Sequence, residues 1–309
     1  MKRVLVIVVT FNGRQWLERC LGSVTGDGQT GHRLVVDLYV FDNDSTDGSA
    51  EFVAARFPQA KLVRSAENSG FSQPNNLGMQ WAMDHGYDFV YLLNQDAWLE
   101  AGALEKLVAA ACAHPDYAVL SPLQMTDGYQ GLDAQFAKSY RPCAKTPQNE
   151  HRTPQNATPC AKTATNEHAP IAVPRIMAAH WLVPVAAVRK IGLFEEELFP
   201  LYGQDDDWCK RAQYHGLKVG VVPAARAVHD RAQRKESLER VIDRNYRVGS
   251  LVRLCDITRP LWERFLFVCL FTVVKAVKYG SILPFKHFRS LCKMLPQVRK
   301  ARKAAKQGA

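Results

Sequence analysis

The 309 residues carry 47% hydrophobic and 23% charged side chains, an ordinary globular balance that excludes a disordered or fibrous chain and leaves room for one large core or two modest ones. The formal charge of +10 is unevenly spread. Residues 231–309 hold 19 Lys/Arg against 5 Asp/Glu, and residues 1–230 hold 21 against 25, so the basic character belongs to a C-terminal tail whose natural partner is an anionic surface. Eight Cys, at 20, 112, 143, 160, 209, 255, 269 and 292, are scattered without a CxxC, which argues against a disulfide framework and suits a reducing cytoplasm.

Val4 to Val9 is too short an apolar run for a signal peptide and reads as a buried first strand. Thr10-Phe11-Asn12-Gly13 ends it, and Trp16, Leu17, Cys20, Leu21 and Val24 follow at helical spacing. The turn holds neither GxGxxG nor GxxxxGK[ST], which weakens dinucleotide-binding and P-loop readings. A second strand, Leu34 to Phe41, runs into Asp42-Asn43-Asp44-Ser45-Thr46-Asp47-Gly48-Ser49. Asp47 reads as a helix cap. Asp42 and Asp44 are placed to accept hydrogen bonds from a nucleobase N–H or a ribose hydroxyl, because an ionised carboxylate only accepts.

A short strand, Lys61 to Arg64, precedes the loop Glu67 to Gly78, in which Gly70 and Gly78 permit close backbone approach. A helix through Met79 to His85 then leads to the strand Phe89 to Leu93, which the polar Asn94-Gln95-Asp96 interrupts. Ligands of open α/β sheets bind at the C-terminal ends of strands, where Asp96 could hold a divalent cation against phosphates. A solvated turn explains the same residue. Four strands alternating with helices predict an α/β, doubly wound, mostly parallel sheet.

The succession VVTFN (8–12), DNDSTDGS (42–49), NSGFSQPNNLG (68–78) and LLNQDAW (92–98) resembles the nucleotide-sugar-binding half of inverting family 2 glycosyltransferases of the GT-A fold. The branch it resembles most includes bacterial rhamnosyltransferases of surface polysaccharide assembly. The resemblance implies that Thr10, Asn12, Asp42 and Asp44 line a nucleoside pocket, and that Asn68, Gly70 and Asn76 help close it. It also implies that Asp96 is the last residue of a DxD motif for Mg²⁺ or Mn²⁺. Asn94 replaces that motif's first Asp, leaving one carboxylate fewer for the metal.

A helix from Leu99 to His114 and a strand from Tyr117 to Leu123 are predicted next. Residues 141–170 then turn polar, with Cys143 to His151 nearly repeated as Cys160 to His168. The Cys-x7-His spacing fits no familiar zinc site, and so polar a segment cannot order itself by burial, which favours a mobile duplicated insert. Downstream, KIGLFEEELFPLYGQDDDWCKRAQYHG (190–216) resembles the region of the family's Glu-Asp motif, whose Asp is the catalytic base. Asp205 takes that position, and Gln204 replaces the Glu, removing a neighbouring negative charge. Asp206 and Asp207 are equally explained as acids favouring a helix dipole. His229, after a strand starting at Lys218, matches a His near the donor phosphates in relatives, although a lone His is as readily a packed residue. His180, Trp181 and the insert lie where relatives meet the acceptor.

From Ser237 onward an amphipathic pattern leads to the apolar run Phe265 to Val274, too short to span a bilayer, and then to a basic tail. Basic residues flanking an apolar stripe fit an interfacial anchor, and a helical pair packed on the body fits as well. Three regions are expected: a nucleotide-sugar-binding half (1–125), an acceptor-side half (126–232) and the helical basic tail (233–309). The implied enzyme takes a nucleotide-diphosphate sugar and a saccharide or lipid-linked acceptor and has no nucleic-acid partner. Its expected place is the cytoplasm, peripheral on the inner face of the membrane. A sugar nucleotidyltransferase is the rival enzyme, but Thr10-Phe11-Asn12-Gly13 lacks its Gly-rich basic turn. A non-enzymatic binder acting through the tail is the other rival.

Overall fold

The computed structural model describes residues 1–25, 34–129, 131–140, 169–230 and 242–308. Most of the 141–170 insert therefore lies outside the described residues, as does the predicted start of the tail helix at Ser237. The strands are β1 (Lys2–Thr10), β2 (Leu34–Asp42), β3 (Lys61–Arg64), β4 (Phe89–Asn94), β5 (Ala97–Leu99), β6 (Tyr117–Met125), β7 (Ile171–Ala172), β8 (His180–Pro184) and β9 (Lys218–His229). Their order in the single sheet is β3-β2-β1-β4-β8-β6-β9-β5, with β7 pairing β9. β1 pairs β2 and β4 in parallel, and Val4, Val6 and Val8 of β1 bury on one face while Leu5 and Ile7 bury on the other. An apolar run covered on both sides is what a central parallel strand requires.

Helices cover both faces, as a doubly wound sheet predicts. One face packs α1 (Arg14–Thr25), α2 (Ser49–Arg56) and α4 (Ala103–Ala113) through Leu17, Leu21, Val53, Leu104 and Leu107. The other packs α3 (Ser72–Asp84), the short α5 (Ala134–Ser139), α6 (Val185–Ile191) and α7 (Gln204–Tyr214), with Met79, Phe136, Val188 and Trp208 inward. A third apolar cluster gathers the C-terminal helices: α8 (Gly249–Cys255), preceded by a π-helical turn at Asp243–Val248, α9 (Leu261–Tyr279), α10 (Leu283–Lys293) and α11 (Leu295–Gln307). Leu198 and Phe199 of the body belong to that cluster. The tail is thus packed on the body up to its last helix.

Two departures from the sequence pattern shape the site. Residues 97–99 form β5 rather than the start of the helix predicted at Leu99, and the helix begins at Ala103 after Gly102 takes a left-handed φ of 73°. Asp96 therefore sits in a turn between two strands, and β5 returns to pair Ala97 with His229. The second departure is β8, which runs antiparallel to both β4 and β6. His180 and Trp181 on β8 are fully buried, with His180 held between the Tyr91 hydroxyl and the Val228 carbonyl, at 2.9 and 3.0 Å. These two side chains are core, not acceptor-facing, and burial pushes the His180 imidazole down to about 3, so it stays neutral.

The helix carrying Asp205 is fixed by a buried ion pair. Arg211 Nε donates to Asp207 at 2.9 Å, and its other nitrogens donate to the Ile191 and Leu193 carbonyls at 3.0 and 2.8 Å. Removing one partner of a buried pair leaves a charge without compensation, at a cost of about 3–5 kcal/mol. Arg211→Met is expected to lower the free energy of unfolding by that amount in urea titration, and a loss under about 1 kcal/mol would show the pair to be dispensable.

Candidate active site at the end of the fourth strand

β1 and β2 end side by side, and their turns hold one another. Asn12 and Asp44 both adopt left-handed φ angles, 49° and 67°, which Asn and Asp tolerate better than most side chains. The Asn12 side chain accepts from the Thr46 amide at 2.9 Å, and the Asn12 amide donates to Ser45 Oγ at 3.0 Å. Asp47 joins the first turns of two helices, accepting from the Arg14 amide at 2.9 Å and the Ser49 amide at 3.1 Å. Thr10 is buried, and its hydroxyl donates to Gln95 Oε1 at 2.8 Å, bracing the β1 turn against the β4 turn.

Asp42 is 3% exposed; Oδ2 accepts from the Ser45 amide, whereas Oδ1 is buried without a hydrogen-bond partner. A buried carboxylate oxygen left unpaired is costly, and a ligand N–H or O–H at this position could satisfy it. Asp44 beside it is exposed. Between them Asn43, 2% exposed, organises the next loop: its amide donates to Asn68 Oδ1 at 3.0 Å and the Gly70 carbonyl at 2.7 Å, and its oxygen accepts from the Ser69 amide at 2.9 Å. Asn68 and Gly70 thus lie beside the Asp42 turn. Asn76 is farther along α3 and fully engaged elsewhere, exchanging two hydrogen bonds with the Phe194 backbone at 2.9 and 3.0 Å and donating to Glu196 at 2.7 Å.

Asp96 and His229 meet across the β5–β9 pairing. Their side chains are 2% and 5% exposed, with His229 Nε2 3.4 Å from Asp96 Oδ1. The Asp230 amide donates to the Asp96 carbonyl at 2.8 Å, and Asp230 accepts from the Trp16 indole at 3.2 Å. His229 Nδ1 is buried without a hydrogen-bond partner. No group of three or more His, Cys, Asp or Glu poised for a metal occurs among the described residues. One carboxylate and one imidazole suit a cation that takes its remaining ligands from substrate phosphates and water, as Mg²⁺ or Mn²⁺ does beside a nucleotide. Asn94, in place of a second carboxylate, contributes its backbone: its amide donates to the Ala179 carbonyl at 3.1 Å.

That bond brings the second acid to the same place. Asp205 lies in the first turn of α7, after Gly203 and Gln204, and the Ala178 amide, one residue before Ala179, favours its ionised form. The turn that holds Asp96 and the start of α7 thus both adjoin the segment Ala178–Ala179. Burial first, and then the Asp206 carboxylate, push the Asp205 carboxyl up to about 7. Asp206 supplies the negative neighbour that Gln204 does not, and Arg175 holds Asp206 in place with contacts of 2.9 and 2.8 Å to its two oxygens. A carboxyl held near neutrality is a candidate proton acceptor.

Gly70 and Gly203 let the two sides close on each other. Gly70 has φ of 85°, and a Cβ there would lie 2.5 Å from the Pro200 carbonyl oxygen. That same carbonyl accepts from the Phe71 and Ser72 amides at 2.7 and 3.0 Å. Gly203, with φ of 96°, would carry a Cβ 2.8 Å from Phe199 and Val248. The donor-side loop, the segment before Asp205 and the C-terminal helices thus touch at residues 199–203.

The profile of Glycosyl transferase family 2 matches residues 5–164, which covers Thr10 through Asp96. The chain belongs to glycosyl transferase family 2. It is 27% identical over 238 residues to the N-acetylglucosaminyl-diphospho-decaprenol L-rhamnosyltransferase of Mycobacterium tuberculosis, covering 74% of this chain and 76% of that one. Its fold is similar to S. aureus TarS 1–349, with a TM-score of 0.56 and 18% identity over 87% of this chain and 69% of that one. GalNAc-T7 with UDP, GalNAc and Mn²⁺ is similar at a TM-score of 0.54 and 15% identity, over 84% and 52% of the two chains. The glycosyltransferase is therefore a GT-A-like α/β protein with a helical C-terminal region.

Because the Asp206 carboxylate opposes ionisation of Asp205, Asp206→Asn is expected to move the acidic limb of the pH–kcat/KM profile below about 7. An unmoved limb would show that Asp206 does not tune the group that titrates.

Proposed function

We propose that this glycosyltransferase moves a sugar from a nucleotide-diphosphate sugar to a hydroxyl of a saccharide or lipid-linked saccharide, inverting the anomeric carbon. The observation that supports the reading most is the Asn94–Ala179 hydrogen bond, which sets the end of β4, two residues before Asp96, beside the segment whose Ala178 amide favours the ionised form of Asp205. The unpaired Asp42 Oδ1 supports a nucleoside donor, since a nucleobase N–H or a ribose hydroxyl would satisfy it. Asn12, Asp44, Asn68 and Gly70 would wall the same pocket, and Thr10 and Asn76 would hold it in shape from behind.

Asp205 removes the proton from the acceptor hydroxyl as that oxygen attacks the anomeric carbon from the face opposite the diphosphate. Its carboxyl, raised by burial and by the Asp206 charge, is a stronger base than a free carboxylate, as a general base acting near neutral pH needs. Asp96 and His229 hold the diphosphate end. Held by Asp96 and His229, a divalent cation, Mg²⁺ or Mn²⁺, would supply positive charge that offsets the charge on the departing nucleotide, where one unit charge at 4 Å is worth roughly 4 kcal/mol at an effective dielectric near 20. The solved structures support such a donor and metal: TarS is known with UDP-GlcNAc and GalNAc-T7 with UDP and Mn²⁺. The mycobacterial relative, named for N-acetylglucosaminyl-diphospho-decaprenol, supports a lipid-linked acceptor, and the basic tail supports meeting it at an anionic membrane surface from the cytoplasmic side.

Screening nucleotide sugars for nucleoside diphosphate release, with and without each metal, tests the reading. Asp205→Asn is expected to lower kcat by at least about 10²–10⁴-fold while donor Kd stays within about threefold, whereas Asp96→Ala should lose the metal-dependent part of donor affinity. An active Asp205→Asn enzyme would overturn the base assignment. Pyrophosphate-dependent release of nucleoside triphosphate would instead identify a nucleotidyltransferase.

A further inference from the structure

No described helix is long and apolar enough to cross a membrane, yet α9 leaves one side uncovered. Trp262, Leu266, Leu270, Val273, Val274 and Val277 are 53–79% exposed. At 100° per residue they fall within an arc of about 120°. The opposite side is fully used: Val268 is buried in the third apolar cluster, and the Thr272 hydroxyl lies 2.6 Å from the Tyr246 hydroxyl. Ile282, 70% exposed, carries the apolar surface past the turn into α10. Isolated exposed apolar residues need no explanation, but a contiguous stripe over most of a 19-residue helix marks a contact surface.

Its rim is cationic. From residue 283 to 308 there are eight Lys/Arg and no Asp or Glu, and Lys278, Lys286, Arg289 and Lys293 are exposed. Packing two such stripes face to face would bring like-charged rims together, so a second copy of the chain is disfavoured. An anionic bilayer surface accepts both parts, with acyl chains for the stripe and headgroup phosphates for the rim.

The same helix also faces the α7 side of the body. Arg253 of α8 lies over the Phe267 and Phe271 rings of α9, 5.3 and 4.8 Å from their centroids, and interacts electrostatically with Asp206 and Arg175, the neighbours of Asp205.

We propose that α9 lies flat in the headgroup region of an anionic bilayer, its apolar stripe among the acyl chains and its Lys/Arg rim on the phosphates, and that this seat turns the Asp205 end of the cleft towards an acceptor carried on a lipid. The orientation rests on the glycosyl-transfer reading; the docking face does not. It differs from capture by the basic tail alone, because apolar insertion survives salt that screens exposed charges.

The test uses the full chain and vesicles of phosphatidylethanolamine and phosphatidylglycerol, read by co-sedimentation at low salt and at about 0.5 M NaCl. The wild-type protein is expected to bind under both conditions, more weakly at high salt. The double variant Leu266→Glu/Leu270→Glu should bind at least about tenfold more weakly, with an unchanged melting temperature and unchanged donor hydrolysis in vesicle-free solution. Quenching of wild-type fluorescence by bromine-labelled acyl chains, reduced in Trp262→Phe, reports insertion without relying on the charged variant. Wild-type protein left in the supernatant, a double variant that binds normally, binding abolished by salt, or a dimer in solution that the double variant dissolves would each overturn the proposal. Failed donor hydrolysis in all preparations would sink the transfer reading and leave the docking result standing.

Discussion

β8 enters the sheet between β4 and β6 against the direction of both, and the Ala179 carbonyl just before it accepts the Asn94 amide. This pairing brings a distant part of the chain, residues 178–205, to the end of the strand that carries Asp96. Without it the donor-side acids and the candidate base would belong to separate halves with no fixed relation. Buried backbone groups must be paired, so the register is held by the same hydrogen bonds that build the core, and the site inherits the core's rigidity.

Residues 198–203 are the second junction. Leu198 and Phe199 sit in the C-terminal apolar cluster, the Pro200 carbonyl receives two amides of the donor-side loop, and Gly203 starts the helix that bears Asp205. Bulk at Gly70 or Gly203 would collide with backbone or packed side chains, so each glycine serves an approach as well as a turn. Movement of the C-terminal helices, for instance on docking at a surface, would therefore be felt at Gly203 and, through Pro200, at the Gly70 loop.

Much of this was legible in the sequence. β1, β2 and β4 are continuous apolar runs that end in polar turns, a pattern that specifies buried parallel strands and the edge where ligands bind. The order of the four motifs named the family, and Gly203-Gln204 followed by three acids marked the start of α7. What stayed hidden depends on contacts distant in sequence. β5 has three residues and is a strand only because β9 accepts it; Trp98 and Leu99 by themselves continue equally well into a helix. His180 and Trp181 carry chemistry-bearing side chains, and nothing local reveals that Tyr91 and Val228 close over the imidazole. Asn43 escaped notice between two acids, although its place after a buried strand was the available signal. The influence of Asp206 on Asp205 was hidden for the opposite reason, since three consecutive acids read most simply as dipole partners.

The central claim is that Asp96, His229 and Asp205 serve one substrate. A crystal structure of the full chain with a nucleoside diphosphate sugar and Mn²⁺ tests it most directly, because the anomalous signal of manganese locates the metal independently of the protein. The account predicts a manganese peak within about 2.0–2.3 Å of Asp96 and His229, the base or ribose within hydrogen-bond reach of Asp42, and the anomeric carbon facing Asp205. Manganese bound elsewhere, or a sugar facing away from Asp205, would contradict it.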